Sequence, residues 1–423
     1  MSAVENNNAV VLFDELNCAN GTRIGVATLN APKTLNGLSL EMTRLLATQI
    51  EVWARDPAIA LLILKGAGDK AFCAGGDLHA LHHSMVSNLG KAAIDNTLAG
   101  TFFAEEYALD YRLHTFPKPI VVWGDGIVMG GGMGLMMGAS HRVVTETSRL
   151  AMPEISIGLF PDVGGTWMLN RLPGKTGLFL GLTGAQIGAA DALFAGMADY
   201  HLTRDTWPLL LEQLTKQAWY AKAAQANGKN DVEADGQSGV QAKGQNDDQA
   251  IGHNDVHAAG KNEALLDKVL ARLATDPAVA MGPLQQHLSL IRTCCAGSDL
   301  NKIVAALVAL AEHSDPWLQR AAKTLAAGSP GSARLTYTLL KRVKHLSLAD
   351  AYRFEWVAGL MCASHGDFAE GIRALLIDKD KQPKWNPATL HEASDAWVEK
   401  FFTLPCAADQ HPLYRLGLNN EVE

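Results

Sequence analysis

Two acidic residues, Glu154 and Asp162, lie eight positions apart in a segment (residues 152–166) that is otherwise apolar and rich in glycine. Neighbours of this kind can shield a carboxyl group from water. The pKa of the group then rises towards the range in which an acid or a base works near neutral pH. The spacing also leaves a purely structural interpretation open, because Asp162 could be the N-cap of a short helix over 164–169.

Two glycine-rich segments come before this acidic pair, at residues 71–77 and 129–134, and each follows a predicted strand. A glycine turn between a strand and a helix presents free backbone N–H groups, which suit a developing oxyanion. Glycine also allows the backbone to approach a ligand closely. The alternative is that both segments are tight packing turns.

Other glycine motifs with known chemistry are absent from the sequence. A GxGxxG fingerprint starting at Gly124 fails because Met129 occupies the position of its last glycine, and no GxxxxGK[ST] follows. The segment around Ser140 lacks the second glycine of a GxSxG elbow. The sequence therefore argues against nucleotide phosphate binding and against a serine nucleophile of that type.

Short β-rich runs alternate with helical patterns through the first half of the chain. The predicted strands cover residues 10–14, 23–29, 59–65, 119–123 and 141–145. Ser39 can cap a helix that ends at Asp56-Pro57. This alternation predicts an α/β core over residues 1–205, and the later periodicity predicts a helical region over 263–423.

Residues 221–262 differ from the rest of the chain because they contain no aromatic residue and few large aliphatic ones. Glycine recurs there with a period of eight, at positions 228, 236, 244, 252 and 260. The octads lack the GGxGxD pattern of calcium-binding repeats and carry little apolar surface to bury. We therefore predict a disordered insertion over 221–262.

Composition excludes several classes of function. The 423 residues are 48% apolar and 19% charged with a net charge of −8, which gives no reason to expect nucleic acid as a partner. No apolar run reaches the ~18 residues of a membrane span, so no membrane association is expected. The first eight residues lack the basic residues of a targeting segment, and six cysteines show no CxxC pattern. These features predict a cytoplasmic protein with free thiols and no metal site.

The motifs together resemble the crotonase (enoyl-CoA hydratase/isomerase) superfamily, and within it the branch that hydrolyses 3-hydroxyisobutyryl-CoA. The segments that carry the resemblance are residues 30–36, 71–77, 105–107, 129–134, 152–166, 367–374, 376–380 and 383–385. It covers nearly the whole chain apart from the octads and the last ~20 residues. The Pro153-Glu154 and Phe160–Gly165 stretches are the part that points to the hydrolase branch.

The resemblance implies a spiral of ββα units with a helical C-terminal region, and an acyl-CoA thioester as the substrate. The thioester carbonyl would lie in an oxyanion hole made by the N–H groups of Gly76 and Gly131. Glu106 and Gly131 would contact the substrate, and the 30–36 loop would lie near the CoA moiety. No cofactor is implied, since CoA is part of the substrate, and a homo-oligomer is possible.

The carboxylates distinguish hydrolysis from hydration. Hydratases of the superfamily use two glutamates, and the first of these positions is Gly134 here. The second is Glu154, and the hydrolase branch adds an aspartate eight residues later, which Asp162 matches. Catalysis by Glu154 and Asp162 is therefore expected, in 3-hydroxyisobutyryl-CoA hydrolysis during valine breakdown. An enoyl-CoA hydratase or isomerase and a non-catalytic acyl-CoA-binding protein are the alternatives.

Overall fold

The computed structural model describes residues 9–221, 247–278 and 281–418, with side chains described from Ala258 onwards in the second range. The strands are β1 (Val11–Asn17), β2 (Arg23–Leu29), β3 (Ile59–Gly66), β4 (Ala71–Cys73), β5 (Ile120–Gly124), β6 (Ile127–Met129), β7 (His141–Val144), β8 (Arg149–Ala151) and β9 (Tyr200–His201). All five predicted strands are present, and the first extends to Asn17.

Helices fill the connections and the whole C-terminal region. They are α1 (Leu40–Arg55), α2 (Leu78–Ser87), α3 (Thr97–His114), α4 (Gly131–Met137), α5 (Gly165–Leu169), α6 (Thr176–Thr183), α7 (Ala189–Ala195), α8 (Trp207–Thr215), α9 (Asp247–Leu273), α10 (Pro283–Gln286), α11 (Leu288–Cys294), α12 (Leu300–Val308), α13 (Pro316–Ala327), α14 (Pro330–Val343), α15 (Leu348–Cys362), α16 (Asp367–Ile372) and α17 (Asp395–Glu399). Ser39 caps α1 as predicted, since its side chain accepts a hydrogen bond from the Met42 N–H.

The strands in the first half of the chain form two sheets. The larger has the order β1-β2-β3-β5-β7-β9 and is parallel except for the β1–β2 hairpin, and the smaller is the parallel sheet β4-β6-β8. The chain passes from a strand of the large sheet to one of the small sheet and then into helical structure, three times in succession. This repetition confirms the predicted spiral of ββα units.

Alternate side chains of the large sheet enter two different apolar cores. On β3, Leu62 and Leu64 face the main core, whereas Leu61 and Ile63 face a second core on the outer side. This is the two-residue period of a strand buried on both faces. Helices α8 and α9 cover the outer side, and the main core continues into the C-terminal helices. The predicted regions 1–205 and 263–423 therefore share one core.

The predicted disordered insertion differs from the structure at its end. Helix α9 begins at Asp247, inside the predicted range, and Asn262 is buried. The Asn262 amide donates to the Tyr220 carbonyl and its oxygen accepts from the Tyr220 N–H, so it holds the two ends of the segment together. The buried aliphatic side chains that dock α9, Leu266, Val269 and Leu270, follow residue 262, so the low apolar content of 221–262 gave no signal for the start of the helix. The octads before residue 247 lie outside the described residues.

None of the helices in the described part of the chain combines the length and apolar character needed to cross a bilayer. All six cysteines are free thiols. Within the same residues, His, Cys, Asp and Glu side chains do not gather in groups of three that could hold a metal ion.

Candidate active site

The glycine loops of the two motifs meet at one edge of the small sheet. Strands β4 and β6 are parallel neighbours, so the loops that follow them leave the sheet at the same edge. A Cβ atom built on Gly130 would lie 3.3 Å from Gly75 Cα, and Gly130 has a φ of 48°. Gly75 has a φ of 117°, so both glycines adopt backbone conformations that other residues rarely take, and a Cβ on Gly130 would also crowd the Gly75 loop.

The N–H groups of Gly76 and Gly131 lie in these two loops. Leu38 forms backbone hydrogen bonds with the residues on either side of Gly76, at 2.7 Å to Gly75 O and 2.9 Å from the Asp77 N–H. The N–H of Gly76 therefore points away from Leu38. Gly131 is the first residue of α4, where an N–H has no acceptor within the helix. The geometry thus suits the predicted pair of donors.

Glu154 lies beside the same loops. It opens a short 3₁₀ turn, Glu154–Ile157, just after β8, the third strand of the small sheet. Its Oε1 atom is 3.4 Å from a Cβ built on Gly130, and its buried Oε2 has no hydrogen-bond partner among the described residues. Burial raises the pKa of Glu154 well above the ordinary value, and the charge of Asp162 adds to the effect. This carboxyl is thus available for chemistry at the glycine loops.

Glu106 reaches the site from helix α3. A Cβ built on Gly131 would collide with Glu106 Oε1, so this carboxyl fills the space at the start of α4. Glu106 is buried, and Oε1 has no hydrogen-bond partner in the described residues. Burial raises its pKa well above the ordinary range, and Asp162 contributes. Glu106 is therefore a buried acid and not a solvent-exposed charge on the helix surface.

Asp162 is held between α3 and the start of α5. The Tyr107 hydroxyl donates to Asp162 Oδ2 at 2.7 Å, and the aspartate is buried. Burial raises its pKa to about 6, against the lowering effect of the Tyr107 hydrogen bond. The next residue, Val163, has a φ of 52°, which is unusual for a β-branched side chain. The Asp162 side chain does not cap α5, because the N-cap residue is Gly164 and the N–H groups of Gly164 and Thr166 donate to Glu355.

The structure adds a carboxyl that sequence reasoning missed, Asp110. A Cβ built on Gly134 would overlap the Asp110 carboxyl and lie 2.8 Å from Val163 Cβ. Asp110 is fully buried, and neither carboxyl oxygen has a partner among the described residues. Burial raises its pKa, with Glu106 the next cause. Its spacing of four from Glu106, which places both on one helix face, was the available signal.

A second missed carboxyl comes from the C-terminal region. Glu355 of α15 accepts hydrogen bonds from the N–H groups of Gly164 (2.6 Å) and Thr166 (3.0 Å) and from the Thr166 hydroxyl. Burial raises its pKa to about 8 although these bonds lower it. The only sequence signal was an acid on the apolar face of a helix.

The C-terminal motif at 367–374 packs behind Glu154. A Cβ on Gly158, which has a φ of 76°, would collide with the Asp367 backbone, and one on Gly371 would collide with Ile157. In addition, the Ser329 N–H donates to Ile155 O at 3.0 Å. These contacts hold the 3₁₀ turn that carries Glu154.

The 30–36 loop lies next to the Gly75–Gly76 loop, since the Ala74 N–H donates to Leu35 O at 3.1 Å. Asn36 is buried, and its amide donates to the carbonyls of Ala67 and Ala71 at 2.9 Å each. This side chain therefore braces the loop. Contact of the loop with CoA stays a prediction.

Comparison with known proteins identifies related sequences and folds. A family model described as enoyl-CoA hydratase/isomerase matches residues 24–258 and 245–402. The 3-hydroxyisobutyryl-CoA hydrolase of Xenopus tropicalis is 38% identical over 90% of this chain and 86% of its own length. The human protein of that name is 33% identical over 93% of this chain and 88% of its own length.

Two solved structures are similar over almost the whole chain. A carnitinyl-CoA dehydratase from Mycobacterium thermoresistibile has a TM-score of 0.74 and 34% identity, covering 94% of this chain and 97% of that one. An enoyl-CoA hydratase from Rhodobacter sphaeroides has a TM-score of 0.72 and 32% identity, covering 93% and 97%. The fold therefore includes the C-terminal helices in these neighbours as well.

The names of the relatives correct one prediction. The sequence predicted a cytoplasmic location, but the frog and human relatives are named as mitochondrial proteins, so that prediction is wrong. Free thiols indicate a reducing compartment and do not distinguish one such compartment from another.

Proposed function

This chain belongs to the enoyl-CoA hydratase/isomerase family, and we propose that it hydrolyses 3-hydroxyisobutyryl-CoA to 3-hydroxyisobutyrate and CoA, a step of valine breakdown. The observation that carries hydrolysis over hydration is at Gly134. The first glutamate of a hydratase has no room there, because Asp110 and Val163 fill the space, whereas Glu154 and Asp162 are both present. The names of the frog and human relatives support the same choice.

In the proposed reaction the thioester carbonyl accepts hydrogen bonds from the N–H groups of Gly76 and Gly131. Negative charge develops on this oxygen as the carbonyl carbon becomes tetrahedral. Donors fixed in a water-poor site stabilise that charge by roughly 3–4 kcal/mol each. The loop geometry supports this role, since both amides belong to loops in contact with each other.

Glu154 supplies the base or the nucleophile. In one route its carboxylate attacks the carbonyl carbon, the C–S bond breaks, CoA leaves as the thiolate and takes up a proton, and water then hydrolyses the anhydride. In the other route Glu154 removes a proton from a water molecule whose oxygen attacks directly. The Oε2 atom of Glu154 supports either route, since no side chain or backbone group of the described ranges is hydrogen-bonded to it and it is available for a new contact.

Asp162 and Glu106 complete the proposed site. Asp162 would hold the substrate or pass a proton to the leaving thiolate, and its pKa of about 6 suits proton transfer near neutral pH. Glu106 would contact the substrate beside Gly131. CoA thiolate is a fair leaving group, so we propose no metal or other cofactor.

A thiol-release assay tests the proposal. The panel contains 3-hydroxyisobutyryl-CoA, 3-hydroxypropionyl-CoA, isobutyryl-CoA and acetyl-CoA, and the same enzyme is assayed for hydration of crotonyl-CoA. We expect thiol release that is fastest with the 3-hydroxy substrates and no hydration. Hydration without thiol release would reject hydrolysis in favour of a hydratase, and release without a 3-hydroxy preference would indicate a broader thioesterase. If the protein binds acyl-CoA but shows neither thiol release nor hydration, it is a non-catalytic binding protein.

A further inference from the structure

Glu355 is a fully buried acid that has no part in the proposed chemistry. It lies on α15, and its carboxyl accepts three hydrogen bonds from Gly164 and Thr166, two residues apart. Glu355 and Gly164 are 191 residues apart in the sequence. The C-terminal region thus reaches directly into the turn that follows Asp162.

The turn after Asp162 must be stabilised by contacts from another part of the chain. Val163 has a φ of 52° and Gly164 a φ of 78°, so two consecutive residues adopt left-handed conformations. Such strain at a β-branched residue persists only where the surrounding structure fixes it. The Gly165 N–H donates to Asp162 O at 2.6 Å, which closes the turn, and Glu355 binds the residues on both sides of Gly165.

Helix α15 also supports Asp162 through a second residue, Tyr352. The ring of Tyr352, one turn before Glu355, lies 5.6 Å from the ring of Tyr107, whose hydroxyl donates to Asp162. A Cβ built on Gly164 would lie 2.8 Å from the Tyr352 hydroxyl, so this contact fills the remaining space. The contact of Tyr352 with Tyr107 and the bonds of Glu355 to the turn after Asp162 therefore come from the same face of α15.

We infer that Glu355 is a positioning residue for Asp162, because its bonds to Gly164 and Thr166 set the direction in which the Asp162 carboxyl points. The inference rests on the proposed hydrolysis, in which Asp162 acts on the substrate. Displacing a reacting group by about 1 Å can reduce a rate by about 100-fold. The competing explanation is that Glu355 only caps α5 and contributes stability alone.

Kinetics of three variants separate the two explanations. We expect Glu355→Gln to lower kcat for 3-hydroxyisobutyryl-CoA by about 10- to 100-fold with KM within about threefold of wild type. Thr166→Val removes one donor and is expected to lower kcat less, in the same direction. Thr166→Ser keeps the hydroxyl and is expected to restore the wild-type kcat. Wild-type kcat in both Glu355→Gln and Thr166→Val would overturn the inference.

Asp191 provides a matched control. It is a buried carboxyl on α7 that accepts hydrogen bonds from the N–H groups of Leu284 and Gln285, at 3.0 Å each, and so caps α10 from a distance. Asp191→Asn is expected to lower the melting temperature while kcat stays within about twofold. If kcat falls in both variants in proportion to the lost melting temperature, Glu355 has a structural role only.

A crystal structure gives a readout that does not depend on activity. In Glu355→Gln we expect the distance from Tyr107 Oη to Asp162 Oδ2 to increase from 2.7 Å to more than about 3.5 Å. An unchanged distance would overturn the inference. Thr166→Val serves in its place if Glu355→Gln does not fold. A wild-type enzyme without thiol release would reject the proposed function, and this distance would still test the role of Glu355.

Discussion

Among single residues, Glu154 and Gly134 do most to distinguish hydrolysis from hydration. Beside two glycine loops, Glu154 has a buried carboxyl oxygen that finds no hydrogen-bond partner within the described part of the chain. Gly134 leaves no space for a second acid, since the Asp110 carboxyl occupies it. In the proposed reaction Glu154 would supply the reactive group, and Gly134 leaves no room for the glutamate that hydration would use.

Replacement of Glu154 by glutamine tests its role. The change keeps the size of the side chain but removes the base or nucleophile, so kcat should fall by about 100- to 10,000-fold. The measurement is thiol release from 3-hydroxyisobutyryl-CoA, with Glu105→Gln, a neighbour of Glu106 that pairs with Arg44, as the control. Activity within a few fold of wild type would show that Glu154 is not catalytic.

The two routes for Glu154 differ in a single turnover. If an anhydride forms and water attacks its enzyme-side carbonyl, reaction in ¹⁸O-labelled water places label in the Glu154 carboxyl. Mass spectrometry of the peptide that contains Glu154 measures this. We expect label in the wild type, and its absence would contradict attack of water on the Glu154 carbonyl of an anhydride.

The space at Gly134 can be tested by a double-mutant cycle. Gly134→Ala should destabilise the protein by about 1–3 kcal/mol, because the added Cβ overlaps the Asp110 carboxyl. Adding Asp110→Ala should recover part of this loss, since the two positions compete for one space. Urea unfolding of the four proteins measures the coupling. Strictly additive losses would mean that the side chains do not compete.

At the scale of elements, the site depends on the small sheet and on what packs behind it. Parallel strands β4, β6 and β8 end at one edge and place the Gly76 loop, the Gly131 loop and Glu154 side by side. Helix α16 then fixes the 3₁₀ turn of Glu154 through the close contact at Gly158. The 367–374 motif therefore acts by packing.

Gly158→Ala tests this packing. The residue has a φ of 76°, and its Cβ would collide with the Asp367 backbone, so we expect a loss of about 2 kcal/mol or more together with reduced kcat. Gly260→Ala in α9 is the control. Its Cβ meets no atom within 4 Å, and alanine in a helix should stabilise by about 0.5–1 kcal/mol. A Gly158→Ala protein whose unfolding curve matches that of wild type or of Gly260→Ala would contradict the expected packing.

At the scale of the whole molecule, five buried carboxyl groups converge from three parts of the chain. Glu106 and Asp110 lie on α3, Glu154 and Asp162 follow β8, and Glu355 lies on α15. Burial raises the pKa of each of them. The folded protein therefore retains protons that the unfolded chain releases.

This predicts how stability depends on pH. The pKa of Glu355 is about 8 in the folded protein against an ordinary value of 4.5. Its contribution to the free energy of unfolding is therefore complete below pH 4.5 and is lost as the pH rises through 8. Buried histidines such as His141 have lowered pKa values and act in the opposite direction, but only below about 6.5. The free energy of unfolding should thus decrease between pH 6.5 and 8.5, by up to about 1.4 kcal/mol per pH unit for each proton.

Urea unfolding at pH 6.5, 7.5 and 8.5 measures this slope. Glu355→Gln should show a shallower decrease than wild type, because one titrating group is removed, and Glu105→Gln should keep the wild-type slope. Equal slopes in all three proteins would show that Glu355 does not titrate in this range. The sequence left the oligomeric state open, with a homo-oligomer as one possibility, and light scattering of the purified protein can determine it.

Features that depend on neighbours along the chain can be recognised from the amino-acid sequence alone. The glycine loops, the cap at Ser39, five strands of the large sheet and the eight-residue spacing of Glu154 and Asp162 are local patterns of spacing and residue type, whereas the ββα order came from the family resemblance. Only the tertiary structure revealed that Asp110 fills the space at Gly134, that Glu355 reaches the turn after Asp162 and that α9 covers the large sheet. Periodicity reports which face of a helix or strand is buried. It does not report which distant element lies against that face, because packing of the complete chain decides that.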